Sequence, residues 1–548
     1  MTVERLLRGL LPGRALRPGE RTSRPAVELR RGRVARVASV LLAVTMMCGT
    51  AMLATGDSGA QSAGGSTLTI AVSAQSNTLD PGLSGNGVGA IFDMFAYDSL
   101  VRYGTDGKYH PDLATSWKYN GTQAESFSLT IRQHVKFADG QPLTPGSVVA
   151  SLEYIKKTPG GVASSAFTNV TRIEVSGPDT VTIHTNVPNP EWPVLLSEQY
   201  LAGMVIAPRG LQHPKALGSQ TYGAGEYTLD AAETVTNSVY TYLANPNYWD
   251  QSAVHYKKVV LRVITDPTAA LEAVRTGQVD FAVGDPSTAA QAKSAGLAVV
   301  GNSGAWNGVL FLDRSGQTMK ALGDVRVRQA LEYAVDRPVL AKAIYGDYAS
   351  ALVQPALPGF NEYDPALEKA YPYDRAKAKS LLTEAGYPQG FTFTDVVSSN
   401  VSESLRLAEA IAGELSAVGV TMNIKSDPTF SGFFTDMVSK DYGAGTIYLT
   451  PLDGYGSATE LFGPGAFLNP FDSTSNELQS LYKSATTAPS EAVPDIYWER
   501  YETYLVKQAW AMPVLQFEQT CYYNRKAVTG VQVGVGAYID PRDFRPAG

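Results

Sequence analysis

Alternation of apolar and polar residues predicts strands at several points along the chain. Residues 68–72 and 127–131 alternate with a period of two, which is typical of a strand with one buried face. Two more alternating runs, at 173–175 and 181–183, flank the turn sequence Gly-Pro-Asp at 177–179. Two strands joined by such a turn predict a hairpin.

Apolar residues at a spacing of three or four predict helices at four places. Thr144 precedes a first-turn proline, and Asp324 and Asp374 are N-cap residues for two further helices. Ser402 begins a fourth helix, which ends at a glycine and is followed by a strand-like run at 420–424. A helix, a glycine stop and a strand in succession predict α/β layers.

The first 60 residues predict a signal or anchor segment. Residues 1–36 contain ten arginines and three glutamates, and the next twenty residues, 37–56, carry no charge. A basic start, an apolar stretch and small residues after it form the layout of a secretory signal. Because about 20 apolar residues can also span a bilayer, an uncleaved anchor is a second interpretation. Both interpretations place the rest of the chain outside the cytoplasmic membrane.

Cys48 allows a third interpretation, in which a lipid attached to this cysteine anchors the protein. The residues before it are Thr45-Met46-Met47, whereas bacterial lipoprotein signals have small residues just before the modified cysteine. Ordinary cleavage near Ser58-Gly59-Ala60 is the alternative. After such cleavage Cys521 would be the one remaining cysteine, and we expect it to be a buried, unpaired thiol.

Composition excludes several classes of protein. A chain of 548 residues predicts three or four domains at about 150 residues each. The net charge is −7 despite the basic start, so the body of the chain is acidic, which argues against a nucleic-acid partner. Two cysteines exclude a disulfide scaffold and a cysteine-based zinc site. The five histidines are scattered, and we find no nucleophile–base set or phosphate-binding loop, so we expect no enzyme, no cofactor and no metal.

A series of segments in fixed order resembles one protein family. HPDLATSW at 110–117 is followed by LTIRQHVKFADGQPLTPGSVVASLEYI at 129–155, ALEAVRTGQVDFA at 270–282 and DVRVRQALEYAVDR at 324–337. These segments resemble the family 5 extracellular solute-binding proteins of ABC importers, the dipeptide- and oligopeptide-binding group. The resemblance covers most of residues 66–530.

The resemblance implies an α/β, periplasmic-binding-protein-like fold with mixed sheets. Two lobes would be joined by a hinge, with an extra domain in the first lobe. We expect lobe one at 66–100, 184–285 and 510–548, its extra domain at 101–183, and lobe two at 286–509.

The chain would then cross between the lobes twice, near 282–307 and near 510–517. Closure of the lobes around a ligand is the motion that such a hinge allows. The ligand must bind the closed state better than the open state for closure to follow binding.

The resemblance also indicates ligand-binding residues. In family members that bind peptides, an aspartate in a loop of lobe two accepts the ligand's amine. The corresponding stretch is YLTPLDGYGSATELF at 448–462, in which Asp453 is the candidate, although the family's tryptophan and proline are missing. Aspartate before glycine is also a common turn pair, so a structural role is open. The other candidate ligand contacts are Trp306, Tyr448, Tyr455 and Asn86 of the glycine-rich loop at 85–89.

Three positions depart from the family pattern. Glu226 stands where proline is usual, Asp313 where asparagine is common, and Gly146 where an acidic residue is usual. These departures do not change the predicted fold, but they leave the identity of the ligand undetermined.

The sequence therefore predicts an exported receptor that captures short peptides between two lobes and delivers them to a membrane permease of an ABC importer. We expect it to act as a monomer. One alternative keeps the receptor but changes the ligand to an oligosaccharide, a metal chelate or another small solute. The other alternative is a secreted enzyme whose site the sequence does not reveal.

Overall fold

The computed structural model describes residues 67–548 except 77, 85–88, 122–124, 160–162, 400, 451–452 and 488–491. The predicted signal or anchor segment, the lipidation candidate Cys48 and the candidate ligand contact Asn86 therefore lie outside the described residues. No helix within the described part of the chain is long and apolar enough to cross a membrane.

Strands and helices alternate along the described chain. The strands are β1 Thr67–Val72, β2 Val101–Tyr103, β3 Tyr109–Pro111, β4 Ala114–Asn120, β5 Ser126–Ile131, β6 Val170–Val175, β7 Thr180–Thr185, β8 Tyr227–Leu229, β9 Val239–Ala244, β10 Lys258–Val263, β11 Phe281–Val283, β12 Ala298–Phe311, β13 Ala349–Ala351, β14 Thr392–Ser398, β15 Thr421–Asp427, β16 Ala444–Leu449, β17 Ala511–Tyr523, β18 Val528–Thr529 and β19 Arg545–Pro546. The helices are α1 Ala90–Asp93, α2 Pro145–Lys157, α3 Trp192–Leu195, α4 Pro208–Gln212, α5 Pro267–Arg275, α6 Pro286–Ser294, α7 Val325–Tyr333, α8 Arg337–Tyr345, α9 Arg375–Glu384, α10 Ser402–Ser416, α11 Phe430–Val438, α12 Gly454–Ser457, α13 Asn476–Thr486 and α14 Ala492–Lys507.

The largest sheet among the described residues has eleven strands and mixed direction. Its order is β15-β14-β16-β12-β17-β11-β1-β10-β9-β8, with β13 paired to β17. The pairs β1–β10, β1–β11, β14–β15 and β14–β16 are parallel, and the other pairs are antiparallel. The long strands β12 and β17 lie at the centre, and they join two groups of strands that would otherwise be separate sheets.

A second sheet of four strands has the order β4-β5-β7-β6. Its strands β6 and β7 pair antiparallel, with Val175 opposite Val181 and Ile173 opposite Ile183. The hairpin predicted from the alternating runs at 173–175 and 181–183 is therefore confirmed. The hairpin of β2 and β3 precedes this sheet in the chain.

Three of the four predicted helix starts, those with Thr144, Asp324 and Asp374, are confirmed by their cap geometry, and the fourth helix begins at Ser402 as predicted. Thr144 accepts a hydrogen bond from the backbone N–H of Ser147 at 3.1 Å, and Ser147 in turn accepts from the backbone N–H of Thr144 at 2.9 Å. Asp324 and Asp374 accept backbone N–H groups at the starts of α7 and α9 in the same way. Each cap satisfies a donor that the first turn of a helix leaves without a partner.

Strands β12 and β17 belong to two hydrophobic cores at once. Ala298 and Cys521 are buried in a core built around β1 and the four-stranded sheet, whereas Val309 and Leu515 are buried in a core built around α7, α9 and α10. The pairing of β12 with β17 shifts register between Ser303 and Ala305 and again between Asn307 and Gly308. Such bulges bend a strand locally. Two cores joined by two bent strands form two lobes with a double crossing between them.

Candidate functional site

A cavity of about 920 Å³ lies between residues of the core around β1, such as Ile91 and Tyr200, and residues of a further core, such as Phe360, Tyr455 and Trp498. One wall comes from residues 103–117 and 190–200, and the opposite wall from residues 359–362, 448, 450 and 453–455. The C-terminal segment 535–541 closes one side. This volume lies near the upper end of the roughly 300–1,000 Å³ that is typical of small-molecule sites.

Asp453 caps helix α12 and also lines this cavity. Its Oδ1 accepts a hydrogen bond from the backbone N–H of Gly456 at 2.7 Å, which is the turn role that an Asp-Gly pair predicts. Burial raises the pKa of the Asp453 carboxyl above its usual range. No positively charged group within the described residues offsets this effect. Asp453 therefore has a structural role as a helix cap, and its carboxylate also lines the cavity without a cation from the described part of the chain.

Glu362 is a second carboxylate in the same wall, and the sequence did not identify it. Its side chain is only 5% exposed, and Oε1 has no hydrogen-bond partner among the described residues. Burial raises the pKa of Glu362 well above its ordinary value, and the nearby charge of Asp453 raises it further. Glu362 lies in the segment Gly359-Phe360-Asn361-Glu362, between β13 and α9, which has no family motif or helical spacing.

Three tyrosines of the opposite wall, Tyr103, Tyr109 and Tyr200, line the cavity within electrostatic reach of Asp453. Burial, followed by the charge of Asp453, raises the pKa of Tyr103 to about 12. The same two causes, in the same order, raise the pKa of Tyr109 and Tyr200 well above the ordinary value. The rings of Tyr103 and Tyr109 pack with centroids 5.5 Å apart. Asp453 and these aromatic side chains therefore line one cavity, in which the charge of Asp453 acts on the tyrosine hydroxyls.

Glu198 is a third buried carboxylate that lines the cavity, but the protein itself pairs it. Glu198 Oε1 accepts a hydrogen bond from the Tyr538 hydroxyl at 2.7 Å, and Arg542 Nη2 lies 3.2 Å from the same oxygen. Arg542 also contacts Asp540 at 2.6 Å, and Arg102 contacts Asp540 at 2.7 Å. These arginines hold the pKa of Asp540 below its ordinary value. The network fixes the C-terminal segment against the cavity.

The other predicted ligand contacts divide into two groups. Tyr448 and Tyr455 line the cavity with Asp453, so the structure brings these three together. Trp306 does not line it: the side chain is 2% exposed and lies in a core with Leu310, Ile447 and other apolar residues. Strand β12 is a central strand of the large sheet, and the apolar residues of this core cover the Trp306 side chain.

The departures from the family pattern lie outside the residues that line the cavity. Asp313 accepts three backbone N–H groups, from Gln317 at 2.9 Å, Thr318 at 2.6 Å and Met319 at 2.7 Å, and so holds a loop. Glu226 is 2% exposed, and burial raises its pKa well above the ordinary value. Neither residue is in a position to contact a ligand in this cavity.

The described residues contain no metal centre and no reactive thiol. No group of three or more His, Cys, Asp or Glu side chains among them is placed to hold a metal ion. Cys521 is free and fully buried, and burial raises the pKa of its thiol to about 12. The expectation that Cys521 is a buried, unpaired thiol is confirmed.

Comparisons with known proteins agree with the geometry. The family described as bacterial extracellular solute-binding proteins, family 5 Middle, matches residues 108–476. The glutathione-binding protein GsiB of Salmonella typhimurium (strain LT2) is 27% identical over 365 residues, which are 65% of this chain and 69% of the relative.

Solved structures show the same fold. HbpA2 from Haemophilus parasuis has a TM-score of 0.75 at 20% identity, covering 88% of this chain and 99% of that one. The periplasmic binding protein DppA from Helicobacter pylori, in complex with the peptide STSA, has a TM-score of 0.70 at 18% identity, with coverage of 88% and 99%. NikZ from Campylobacter jejuni, in complex with Ni(L-His), has a TM-score of 0.70 at 20% identity, with coverage of 87% and 99%.

These matches confirm the predicted two-lobed α/β fold and the resemblance on which it rested. The relatives and the fold are those of substrate-binding proteins and not of enzymes. The chain belongs to the bacterial extracellular solute-binding proteins of family 5.

Proposed function

We propose that this protein is an exported receptor of an ABC importer and that it captures short peptides in the cavity between its lobes. The observation that supports this most is Asp453, a cavity-lining carboxylate without a cationic partner among the described residues. A peptide carries an ammonium at one end, and an ammonium enclosed by protein needs a partner of opposite charge. Asp453 supplies that partner.

The size and lining of the cavity also fit a peptide. A volume of about 920 Å³ accommodates a ligand of several residues. Aromatic rings from both walls, among them Tyr109, Tyr200, Tyr455 and Trp498, offer packing surface for side chains of varied shape. DppA from Helicobacter pylori, which has a similar fold, has been solved in complex with a four-residue peptide.

Binding is coupled to lobe closure in this proposal. The division into lobe one (66–100, 184–285 and 510–548), its extra domain (101–183) and lobe two (286–509) makes β12 and β17 the connecting strands. Their register shifts at 303–308 provide points where the angle between lobes can change. The closed, loaded form would then dock on a membrane permease of the importer as a monomer.

The arginine-rich start and the uncharged run at 37–56 support export. Cell fractionation should find the body of the protein outside the cytoplasmic membrane, and full-length protein in the cytosol would refute export. A Cys48→Ser variant tests the lipid anchor separately, because release of this variant alone into the medium would identify Cys48 as the attachment point.

Calorimetry with tri-alanine and N-acetyl-tri-alanine tests the proposal. Acetylation removes the ammonium and keeps the rest of the peptide, so the acetylated peptide should bind about a hundredfold more weakly or not at all. Small-angle scattering should show compaction with tri-alanine, and the peptide should be recovered intact. Equal binding of the two peptides would refute the role of the ammonium, and a hydrolysed peptide would favour an enzyme.

A further inference from the structure

The charged groups that line the cavity are strongly unequal in sign. Among the described lining residues, five are carboxylates, and Lys108 is the one lysine or arginine. Lys108 is an exposed residue next to β3, at the rim of the cavity. The lining carboxylates are Glu191, Glu198, Glu362, Asp453 and Asp495.

Negative charge still exceeds positive charge along the cavity after the ion pairs and hydrogen bonds within the protein are taken into account. Glu198 contacts Arg542 at 3.2 Å, and its charge is therefore offset by the protein. Asp495 accepts a hydrogen bond from the Asn361 side chain at 3.2 Å, which is a neutral partner. Asp453 accepts a backbone N–H, and Glu362 Oε1 has no partner among the described residues. Asp453 and Glu362 are therefore left without a cation among the described residues.

Of these two carboxylates, Glu362 gives the stronger evidence for contact with a ligand. An unpartnered oxygen at 5% side-chain exposure loses its water without gaining a hydrogen bond, which is unfavourable unless a donor arrives. Since Glu362 lines the cavity, a bound molecule can supply that donor. Asp453 lines the same cavity, and its charge acts on Glu362. A ligand ammonium at Asp453 therefore leaves Glu362 available for a second positive group of the same ligand.

The facing wall suits a second positive group as well. The rings of Tyr103, Tyr109 and Tyr200 line the cavity opposite Asp453. Aromatic rings attract ammonium and guanidinium groups, and the attraction grows when water is excluded. A ligand with additional carboxylates, such as glutathione, would instead meet acidic groups in the wall and one exposed lysine at the rim.

We propose, on the basis of the proposed function, that Glu362 is a second ligand-binding carboxylate beside Asp453. The pair selects ligands with two neighbouring amine charges, which are found in peptides that begin with a basic residue and in polyamines. Neutral and acidic peptides bind more weakly.

Four probes test this selectivity by calorimetry with the full mature protein. Lys-Ala-Ala, Ala-Ala-Ala and Glu-Ala-Ala share their length and both termini, and they differ in the charge of the first side chain. Lys-Ala-Ala should bind about tenfold more tightly than Ala-Ala-Ala, because a charge-assisted hydrogen bond is added. Glu-Ala-Ala should bind most weakly. Spermidine, a polyamine without a peptide bond, distinguishes the two sources of neighbouring amines.

Two variants locate the effect. Glu362→Gln should abolish the preference for Lys-Ala-Ala over Ala-Ala-Ala, since Gln keeps the shape and loses the charge. Glu460→Gln is the matched control, because Glu460 is an exposed residue near Asp453 that does not line the cavity. The Glu460→Gln control should keep the full preference for Lys-Ala-Ala. An equal loss of this preference in both variants would mean that long-range electrostatics causes it, and would overturn the assignment of Glu362 as a ligand contact.

The outcomes separate the two proposals. If Lys-Ala-Ala and Ala-Ala-Ala bind equally, peptide binding stands and the selectivity is refuted. If spermidine binds and no peptide does, the peptide receptor is refuted and the selection of neighbouring amines is supported. If none of the four probes binds, both proposals are refuted.

Discussion

Glu198 and Glu362 line the same cavity and are almost equally buried, at 2% and 5% exposure, but their surroundings differ. Glu198 accepts a tyrosine hydroxyl and lies 3.2 Å from the buried guanidinium of Arg542. Glu362 has an oxygen without a partner among the described residues, and its charged neighbour is another acid, Asp453. The fold thus satisfies one buried carboxylate with its own groups and leaves the other to be satisfied from outside.

That difference separates structural charge from functional charge. A buried charge that is paired internally stabilises one conformation of the protein, and removing its partner destabilises the fold. A buried charge that is unpaired destabilises the empty protein, and a ligand that pairs it gains the corresponding binding energy. Variants on the Glu198 side should therefore change stability, and variants on the Asp453 side should change affinity.

The largest expected effect is on stability, from Arg542→Met. This change keeps much of the side-chain volume and leaves Asp540 and Glu198 buried without their main cation. Loss of one partner from a buried ion cluster costs about 3–5 kcal/mol, and denaturant unfolding measures it. Arg545→Met is the control, because Arg545 is exposed and nearby in sequence. An unchanged unfolding midpoint for Arg542→Met would show that the network is not structural.

The next effect is on affinity, from Asp453→Asn. Asparagine also caps helices well, so the hydrogen bond to Gly456 can persist and the fold should keep its stability. A free-amine peptide should bind about a hundredfold more weakly, since its ammonium loses a partner worth roughly 3 kcal/mol or more.

Asp495→Asn removes a charge from the same cavity at a carboxylate that already has an amide partner. Calorimetry should show a much smaller loss for this control than for Asp453→Asn. Equal losses would mean that the overall charge of the cavity matters and that contact with Asp453 does not. A stability loss without an affinity loss in Asp453→Asn would restrict Asp453 to its turn role.

Asp540 should respond to pH in the opposite direction to Asp453 and Glu362. The pKa of Asp540 is lowered, so its contribution to stability is present above the ordinary carboxyl range and is lost as the pH falls through the lowered value. The pKa values of Asp453 and Glu362 are raised, so the empty folded protein holds protons there that the unfolded chain has released. Their contribution to the stability of the empty protein therefore decreases as the pH rises from the ordinary value to the raised one.

Binding of an amine ligand should offset this loss of stability, because it pairs the ionised carboxylates. Because the ammonium pairs with the ionised form, affinity should fall as the pH falls, beginning at a pH above the ordinary carboxyl range. Binding near neutral pH should also release protons, and calorimetry in two buffers of different ionisation enthalpy detects this release. An affinity that is constant from pH 8 to pH 5 would contradict the role of both carboxylates.

Local elements of this fold could be predicted from sequence, whereas the opposed walls of the site could not. Thr144, Asp324 and Asp374 act within a few residues of themselves, so their caps are visible in the sequence. Asp453 was identified through a family motif. Glu362 and Tyr109 lie far from Asp453 in the chain. The tertiary fold alone brings Glu362 to the same wall of the cavity as Asp453 and Tyr109 to another wall.

Trp306 shows a second limit of prediction from the sequence. Its position near a predicted crossing favoured a ligand contact, but a central strand has both faces covered, and the side chain lies in the core. A periodicity of two cannot reveal which face of such a strand borders a cavity, because nearly every residue of that stretch is buried.

The smallest expected effect is on ligand affinity, from changes at Tyr109 in the wall formed by Tyr103, Tyr109 and Tyr200. This effect decides whether the rings recognise the ligand's charge or only its shape. Tyr109→Leu removes a ring that faces Asp453 across the cavity, and the loss of a cation–π contact of about 0.5–2 kcal/mol should weaken a cationic peptide by roughly two- to thirtyfold. Tyr109→Phe keeps the ring and removes the hydroxyl, so it should retain most of the affinity. The two variants are compared by calorimetry with Lys-Ala-Ala and Ala-Ala-Ala. If the ring acts on charge, the leucine variant loses more affinity for the lysine peptide than for the alanine peptide; equal losses for both would reduce Tyr109 to a packing surface.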